Sequence, residues 1–448
     1  MRLSLRLSEV LVLSVLATAC ASYTPDPVPE DPAMLQPPVS QLLTTANSRA
    51  AFLPTPGSID LGAALDANAV ATLAVLSNPD LLRLRSLAGI SEAQVFAAGL
   101  LPDPVFSAGV DHVLSGTDPV DNLAAALGLD LNALRTRAVR QQQVQAQARQ
   151  VRMDLAWAEW QTAAQARIQA GRIFSLQQIT ALSEASRTTA AARLQSLLGA
   201  VSRGDVAADG LQAALLAVSS TQQQAQQFQR NLLGARQELN RLLGLPPHYA
   251  LQLSAPEEFA PPPDQAELFA IARQSRADLQ ALREGYQAQE AAVHKAVLDQ
   301  FPSFDLSINS SRDTGKNVLL GPSVNFTLPL WNRNQGGIAI ERASREALKQ
   351  EYEVRLFQTR AELAQALSSL ALERSVYVRQ QAGLDELLRL SQVSQEAAER
   401  GDVAQSSAEL ATEALRDRQL LLLESSMNIN ELNIGLELLT GIPRTQWQ

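Results

Sequence analysis

Cysteine is almost absent from this chain of 448 residues, which holds one, and histidine is nearly as scarce, with three. A single thiol excludes an intramolecular disulfide and any zinc site built on cysteines. His112, His248 and His294 are scattered and leave little for metal catalysis. Basic charge is also short, 37 Lys and Arg against 46 Asp and Glu, a net charge of −9. With no Lys/Arg block the chain lacks the basic patch that phosphate recognition needs, so nucleic acid is not expected as a partner. Aromatics are few (11 Phe, 5 Tyr, 4 Trp), a poor composition for an enzyme core. No nucleophile–base pair, phosphate loop or ligand cluster is found, so neither catalysis nor a cofactor or metal is expected.

Proline is missing from two long stretches, between Pro119 and Pro246 and between Pro329 and Pro443. Proline inside a helix costs about 3 kcal/mol, so two such gaps rich in Ala, Leu, Gln, Glu and Arg read as long helices. After the amino terminus no apolar run reaches the roughly 18 residues that a transmembrane helix needs, and any membrane crossing falls to β-strands.

At the amino terminus Arg2 and Arg6 precede the apolar run Leu7 to Ala17, and Leu16-Ala17-Thr18-Ala19-Cys20 closes it. This pattern is a secretory signal peptide over residues 1–19. The five closing residues resemble a bacterial lipobox, which implies lipidation of Cys20. Ala21 at the next position implies sorting to the outer membrane under the rule known for enteric bacteria. One lipid-modified residue anchors a chain but does not span a bilayer. Residues 20–61, with eight prolines between Tyr23 and Pro56, read as an extended tether.

The chain repeats itself. Arg203-Gly204-Asp205-Val206 returns as Arg400-Gly401-Asp402-Val403, and Leu243-Gly244-Leu245-Pro246 is answered by Thr440-Gly441-Ile442-Pro443, both at an offset of 197 (204 to 401, 246 to 443). Leu232, Ala235, Leu239 and Leu242 fall on Ile429, Leu432, Leu436 and Leu439 in the same register, each set at helical spacing. Shared turns and a shared heptad identify a duplication. The halves span residues 62–247 and 264–445, joined by a linker, 248–263. Each is expected to run helix, two strands, very long helix, Gly turn and long helix. The helices are placed at about 133–198, 206–243, 335–399 and 403–440. At 1.5 Å per residue the first spans roughly 100 Å, beyond a compact domain's diameter.

The strands are expected at about 104–114, 121–131, 303–311 and 318–330. Phe304, Leu306 and Ile308 alternate with Asp305, Ser307 and Asn309, and Val324, Phe326, Leu328 and Leu330 with Ser323, Asn325 and Thr327. In the first half Phe106, Ala108 and Val110 alternate with Ser107, Gly109 and Asp111, and Leu123 through Leu131 with Asn122 through Asp130. Runs of about 9 to 11 residues cross a bilayer when tilted, but a soluble sheet with one face on a core has the same alternation. Secretion, the anchor and the lack of other β segments favour the membrane. Four strands cannot close a barrel, and open edges in lipid cost several kcal/mol per unsatisfied group, so protomers must pool strands.

The order signal, tether, then helix, hairpin and long helical hairpin twice over resembles the TolC-like outer membrane efflux proteins, over residues 60–445. The segment Leu328-Pro329-Leu330-Trp331-Asn332-Arg333-Asn334-Gln335-Gly336 is similar to the strand-to-helix junction of members serving metal-cation and drug pumps. The resemblance implies a mainly α fold with a small membrane β part: a homotrimer whose twelve-stranded β-barrel continues as an α-helical barrel into the periplasm. It implies a passive exit duct in the Gram-negative outer membrane. The tips Arg203 to Val206 and Arg400 to Val403 would meet a periplasmic adaptor, itself joined to an inner-membrane pump. Gly at each tip suits positive φ, and Asp205 or Asp402 can N-cap the returning helix. Members of the family close the entrance with Asp six and nine residues after the second tip Gly. Here those positions are Ser407 and Leu410, so that gate is not carried over. Glu409 and Glu413, at i and i+4, are candidate entrance acids, with a solvated helix face as the plain alternative. Two other functions fit the same reading: a duct for type I protein secretion, and a lipid-anchored periplasmic coiled-coil adaptor or scaffold without a barrel.

Overall fold

The computed structural model describes residues 23–32, 35, 39–50, 59–112, 114–115, 121–205, 207, 210–312 and 317–447. Cys20 and Val206 lie outside the described residues, as do the centres of both strand turns. The chain forms two units, 1–38 and 39–448, and every helix and strand below belongs to the second.

In chain order the elements are α1 (Val39–Ala50), α2 (Ala67–Ser77), α3 (Pro79–Gly99), β1 (Val105–Asp111), β2 (Asn122–Asp130), α4 (Leu131–Ser202) and α5 (Leu211–Leu243). The second repeat follows with α6 (Gln265–Ser275), α7 (Ala277–Leu298), β3 (Phe304–Arg312), β4 (Val318–Phe326), α8 (Gln335–Gln381), α9 (Leu384–Glu399) and α10 (Gln405–Thr440). α4 runs 72 residues unbroken. Its contact positions are largely small, among them Ala146, Ala148, Ala164, Ala166 and Ala170, all buried, which lets neighbouring helices approach closely while high intrinsic propensity sustains the helix.

α4 is the spine. It packs against α3 and α7 towards the strands and against α5 and α10 towards the tips; α7 in turn packs on α8, and α10 on α8 and α9. Two side-by-side layers result, α3–α4–α7–α8 and α5–α4–α10–α8/α9, with α3 and α5 along one free edge and α8 and α9 along the other.

The duplication is visible in how each repeat closes its middle. Asp66 and Asp264 N-cap α2 and α6 by accepting from the backbone N–H of Ala69 (2.7 Å) and Glu267 (2.9 Å). The elbow after each short helix then docks on the end of the returning long helix. Asn78 donates to the Leu242 carbonyl at 3.0 Å, and Arg276 donates to the Leu439 carbonyl at 3.3 Å, two acceptors 197 residues apart. Gly244 and Gly441 end those helices with φ of 65° and 80°. A Cβ on Gly441 would stand 2.9 Å from the Arg276 Cα, so positive φ and close backbone approach both demand glycine there. Around these elbows lie two cores: Val70, Leu73, Ile173, Leu239 and Leu243 in the first repeat, and Leu268, Leu363, Leu370, Leu436 and Trp447 in the second.

Arg276 is fully buried. Its guanidinium is held by Asp278 at 2.7 and 2.9 Å and lies over the Trp157 ring at 4.7 Å, which joins α7 to the spine. Arg355 of α8 also reaches Asp278, at 3.0 Å. Burial alone would raise the Asp278 carboxyl, but the two guanidinium groups outweigh it and hold that acid below the ordinary carboxylate range.

Several expectations are corrected. β1 ends at Asp111 rather than 114, because Asp111 opposite Asn122 is the last ladder pair. β4 ends at Phe326 rather than 330: Pro329 has no N–H to give a ladder, and Arg333 and Asn334 turn the chain with φ of 45° and 51°. The second long helix is not continuous to 399 but breaks at Ala382-Gly383. The tether is not extended throughout, since α1 lies within it and packs Val39 and Leu43 on the first core, with Asn47 bridging both backbone groups of Ile59.

We expect Asp278→Asn to destabilise the fold by about 3 kcal/mol at neutral pH, because it strips a buried guanidinium of its main counter-charge. Since folding lowers the pKa of this acid, its contribution is present above the ordinary value of 3.8 and fades as pH falls through the lowered one. Denaturation of wild type and variant from pH 3 to 7 should show the gap widen with pH.

Candidate functional site

Among the described residues two surfaces stand uncovered: the apolar face of the sheet and the helical tips. The sheet has the order β1-β2-β3-β4, every pair antiparallel, and the β2–β3 pairing joins the two repeats. Register places Phe106 opposite Leu127, Leu127 opposite Ile308, and Leu306 opposite Val324, so that one face is apolar across all four strands. Phe304 pairs with Phe326 on that face, ring centroids 6.1 Å apart. The opposite face carries Ser307, Asn309 and Ser323, tied together by hydrogen bonds of 2.8 Å from Asn309 to Ser323 and between the two serines.

Among the described residues no element covers the apolar face. Phe106, Ile308, Leu320 and Phe326 are 69%, 55%, 75% and 55% exposed, where a soluble sheet would bury them on a core. The strands are seven residues (β1) or nine (β2 to β4) long, close to what a tilted strand needs to cross lipid. Among the described residues no helix is long and apolar enough to cross a membrane.

At the other end both tips have one construction. The N–H of Asp205 reaches the Ala200 carbonyl (2.9 Å) and that of Gly204 the Val201 carbonyl (3.0 Å); Asp402 and Gly401 repeat this on Ala397 (2.8 Å) and Ala398 (3.0 Å). These are helix-closing turns with glycine at φ of 79° and 80°. The expectation that Asp205 or Asp402 caps the returning helix is corrected. The cap residues of α5 and α10 are Gly210 and Ala404, not Asp205 and Asp402. The two Asp carboxylates are instead taken by the preceding arginines, Arg203 at 2.8 Å and Arg400 at 3.0 Å. Val403 is exposed at the second tip.

Glu409 and Glu413 stand half-buried on α10. The spacing continues upward as Asp417 and Glu424, which the sequence reading missed although the i+4 step from Glu413 announces the first. Burial holds Glu424 above the ordinary glutamate range. Seven residues on, Glu431 ends this stripe in a two-point bond to Arg172 of α4 (2.8 and 2.7 Å). The hairpins are tied to each other by Arg416 of α10, which donates to Thr189 Oγ1 of α4 at 2.7 Å.

In sequence no family model and no curated protein matches the chain. Solved structures do. The outer membrane channel CmeC of Campylobacter jejuni aligns over 94% of this chain and 94% of its own with a TM-score of 0.69 at 14% identity. The chain has the fold of an outer membrane channel. The open-state outer membrane channel MtrE of Neisseria gonorrhoeae (TM-score 0.68, 15% identity) covers 84% of this chain and 89% of its own. The outer membrane protein VceC of Vibrio cholerae (TM-score 0.66, 15% identity) covers 84% and 96%. The likeness thus extends over most of the chain.

The two kinds of glycine turn separate cleanly. A Cβ at Gly401 meets nothing within 4 Å, whereas at Gly441 it meets backbone. Gly401→Ala should cost about 1 kcal/mol, the left-handed conformation alone, and Gly441→Ala at least about 3 kcal/mol, measured by thermal unfolding in detergent.

Proposed function

We propose that the protein is the outer-membrane exit duct of a tripartite efflux system, conducting small cargo such as drugs or metal cations passively from periplasm to exterior. One observation carries the reading: a four-stranded sheet with a continuous, uncovered apolar face and two unpaired edges, on a channel fold. Lipid is the solvent that suits such a face, and closure is what such edges require. Three copies supply twelve strands. The free helical edges have matching character: α3 exposes Leu87 and Ile90, and α8 exposes Ile340, Val354 and Phe357. These suit a head-to-tail contact of one copy's α3 and α5 with the next copy's α8 and α9, which closes as a ring. Cys20, lipidated after signal cleavage, would add an anchor in the same membrane. The tips Arg203 to Val206 and Arg400 to Val403 are the surfaces offered to a periplasmic adaptor, whose inner-membrane pump supplies the energy.

Purified in detergent, the full chain should run as a trimer and give single-channel conductance in planar bilayers; a monomer without conductance would sink the proposal. Phe357→Glu should abolish the trimer, while Glu at the solvated position 351 is tolerated already.

The acids on α10 bear on cargo. With three copies, Glu409 and Glu413 form an acidic ring near the entrance that enriches cations by Coulomb attraction. Replacing both with Gln should move the reversal potential in a salt gradient towards zero. An unchanged reversal potential removes these acids from selectivity.

A further inference from the structure

A cleft of about 590 Å³ opens where α4, α5 and α10 meet, so that both hairpins contribute to one recess. Its floor is apolar: Leu176 and Ala235 are buried there and Met427 is half-buried. Its rim is charged, and the charges do not balance. Glu431 accepts on both carboxylate oxygens from Arg172 at 2.8 and 2.7 Å, and Glu238 accepts on both of its own from Arg241 at 2.9 and 2.8 Å. Arg230 of α5 lines the same rim and, among the described residues, reaches no carboxylate; it donates to the neutral Gln227 side chain at 2.7 Å. Its guanidinium is therefore the free charge of the recess.

Two further features belong to the recess rather than to the fold. Gln169 of α4 lines it, and the Gln169 Oε1 is shut off from solvent without a hydrogen-bond donor among the described residues. A buried acceptor left unpaired is destabilising, and a bound molecule that brings an O–H or N–H relieves it. Gly234 stands on the rim inside α5, where glycine weakens a helix relative to alanine. Neither usual reason for glycine applies: its φ is not positive, and a Cβ added there meets nothing within 4 Å. Nor does the repeat demand it, since the equivalent residue 197 positions on is Glu431, the acid paired with Arg172 across the recess. Glycine at 234 keeps the recess open.

We propose that this recess binds an amphipathic organic anion that carries a hydroxyl, with its acid group on Arg230, its apolar body on Leu176, Ala235 and Met427, and its O–H donated to Gln169. An apolar floor with a few fixed polar groups is the usual form of a small-molecule site. A cation finds no free counter-charge there, because arginines already hold both glutamates. The site is independent of the channel reading; in a trimeric duct there would be three, each built by both hairpins of one copy.

Equilibrium dialysis of para-hydroxycinnamate against the full-length protein in lipid nanodiscs, with empty nanodiscs subtracted, tests the site. Wild type should bind it saturably, one molecule per chain. Arg230→Gln should weaken binding by about tenfold, the loss of a charge-assisted bond. Tyramine, which keeps the hydroxyphenyl group and carries an ammonium in place of the acid, should not bind. Para-methoxycinnamate, which lacks the donor, should bind wild type about fivefold more weakly than the hydroxy acid and bind Gln169→Leu equally well. Gly234→Phe fills the recess from an open position and should abolish binding without lowering the thermal unfolding midpoint. No saturable binding by wild type, binding that survives Gly234→Phe, or tyramine held as tightly as the acid overturns the proposal. If the acid binds as expected and no form of the protein conducts, the site stands and the channel reading falls; conductance without saturable binding keeps the channel and removes the site.

Discussion

Everything in this molecule follows from the unpaired edges of β1 and β4. A backbone N–H or C=O left without a partner in hydrocarbon costs several kcal/mol, and each edge presents a row of them. A soluble protein would blunt such edges or cover them; here the adjoining face is apolar and bare as well. The two conditions together admit few solutions, and a barrel shared between copies meets both. In such a barrel the helices would follow the same ring, because β2 runs directly into a long helix through the Asp130 cap and β4 reaches its helix through a short link closed by the left-handed Arg333-Asn334 pair.

A wall only one helix thick cannot stabilise itself with a deep core. The chain answers this in the middle of each repeat, where a short helix and its elbow clamp the end of the returning helix. The chemistry of the clamp has diverged while its geometry has not. Asn78 in the first repeat is neutral and small. Arg276 at the equivalent elbow is charged and buried, and so requires Asp278, Arg355 and Trp157 around it. The second elbow thereby carries an ion network that binds α7, α8 and the spine, and with it a dependence on ionisation that the Asn78 elbow lacks.

The repeat, the strand alternation and the turn glycines were legible in sequence because each has a period or a fixed backbone demand: 197 residues, two residues, positive φ. What was not legible depends on contacts between distant segments. The Asp205 and Asp402 carboxylates have a capping choice and an ion-pair choice that sequence spacing does not separate, and the arginine two residues earlier wins at both tips. The helix α1 hides in a proline-rich stretch because its register is set by Asn47 on Ile59, across a segment no periodicity spans. The break at Gly383 is equally silent, since an isolated glycine in a helical pattern is common and only Arg418, from another helix, marks this one.

Duplication gives the fold two long helical hairpins of one plan. The ties that α10 makes to the two hairpins nevertheless differ. Arg416 ties α10 to the continuous α4 through Thr189, whereas Arg418, two residues away on the same helix, grips the interrupted α8/α9 arm. One arginine couples the hairpins and the other joins α10 to the interrupted arm, so α10 is the helix on which both hairpins are tied. A wall helix that carries both ties, and the acidic stripe as well, is constrained on each of its faces.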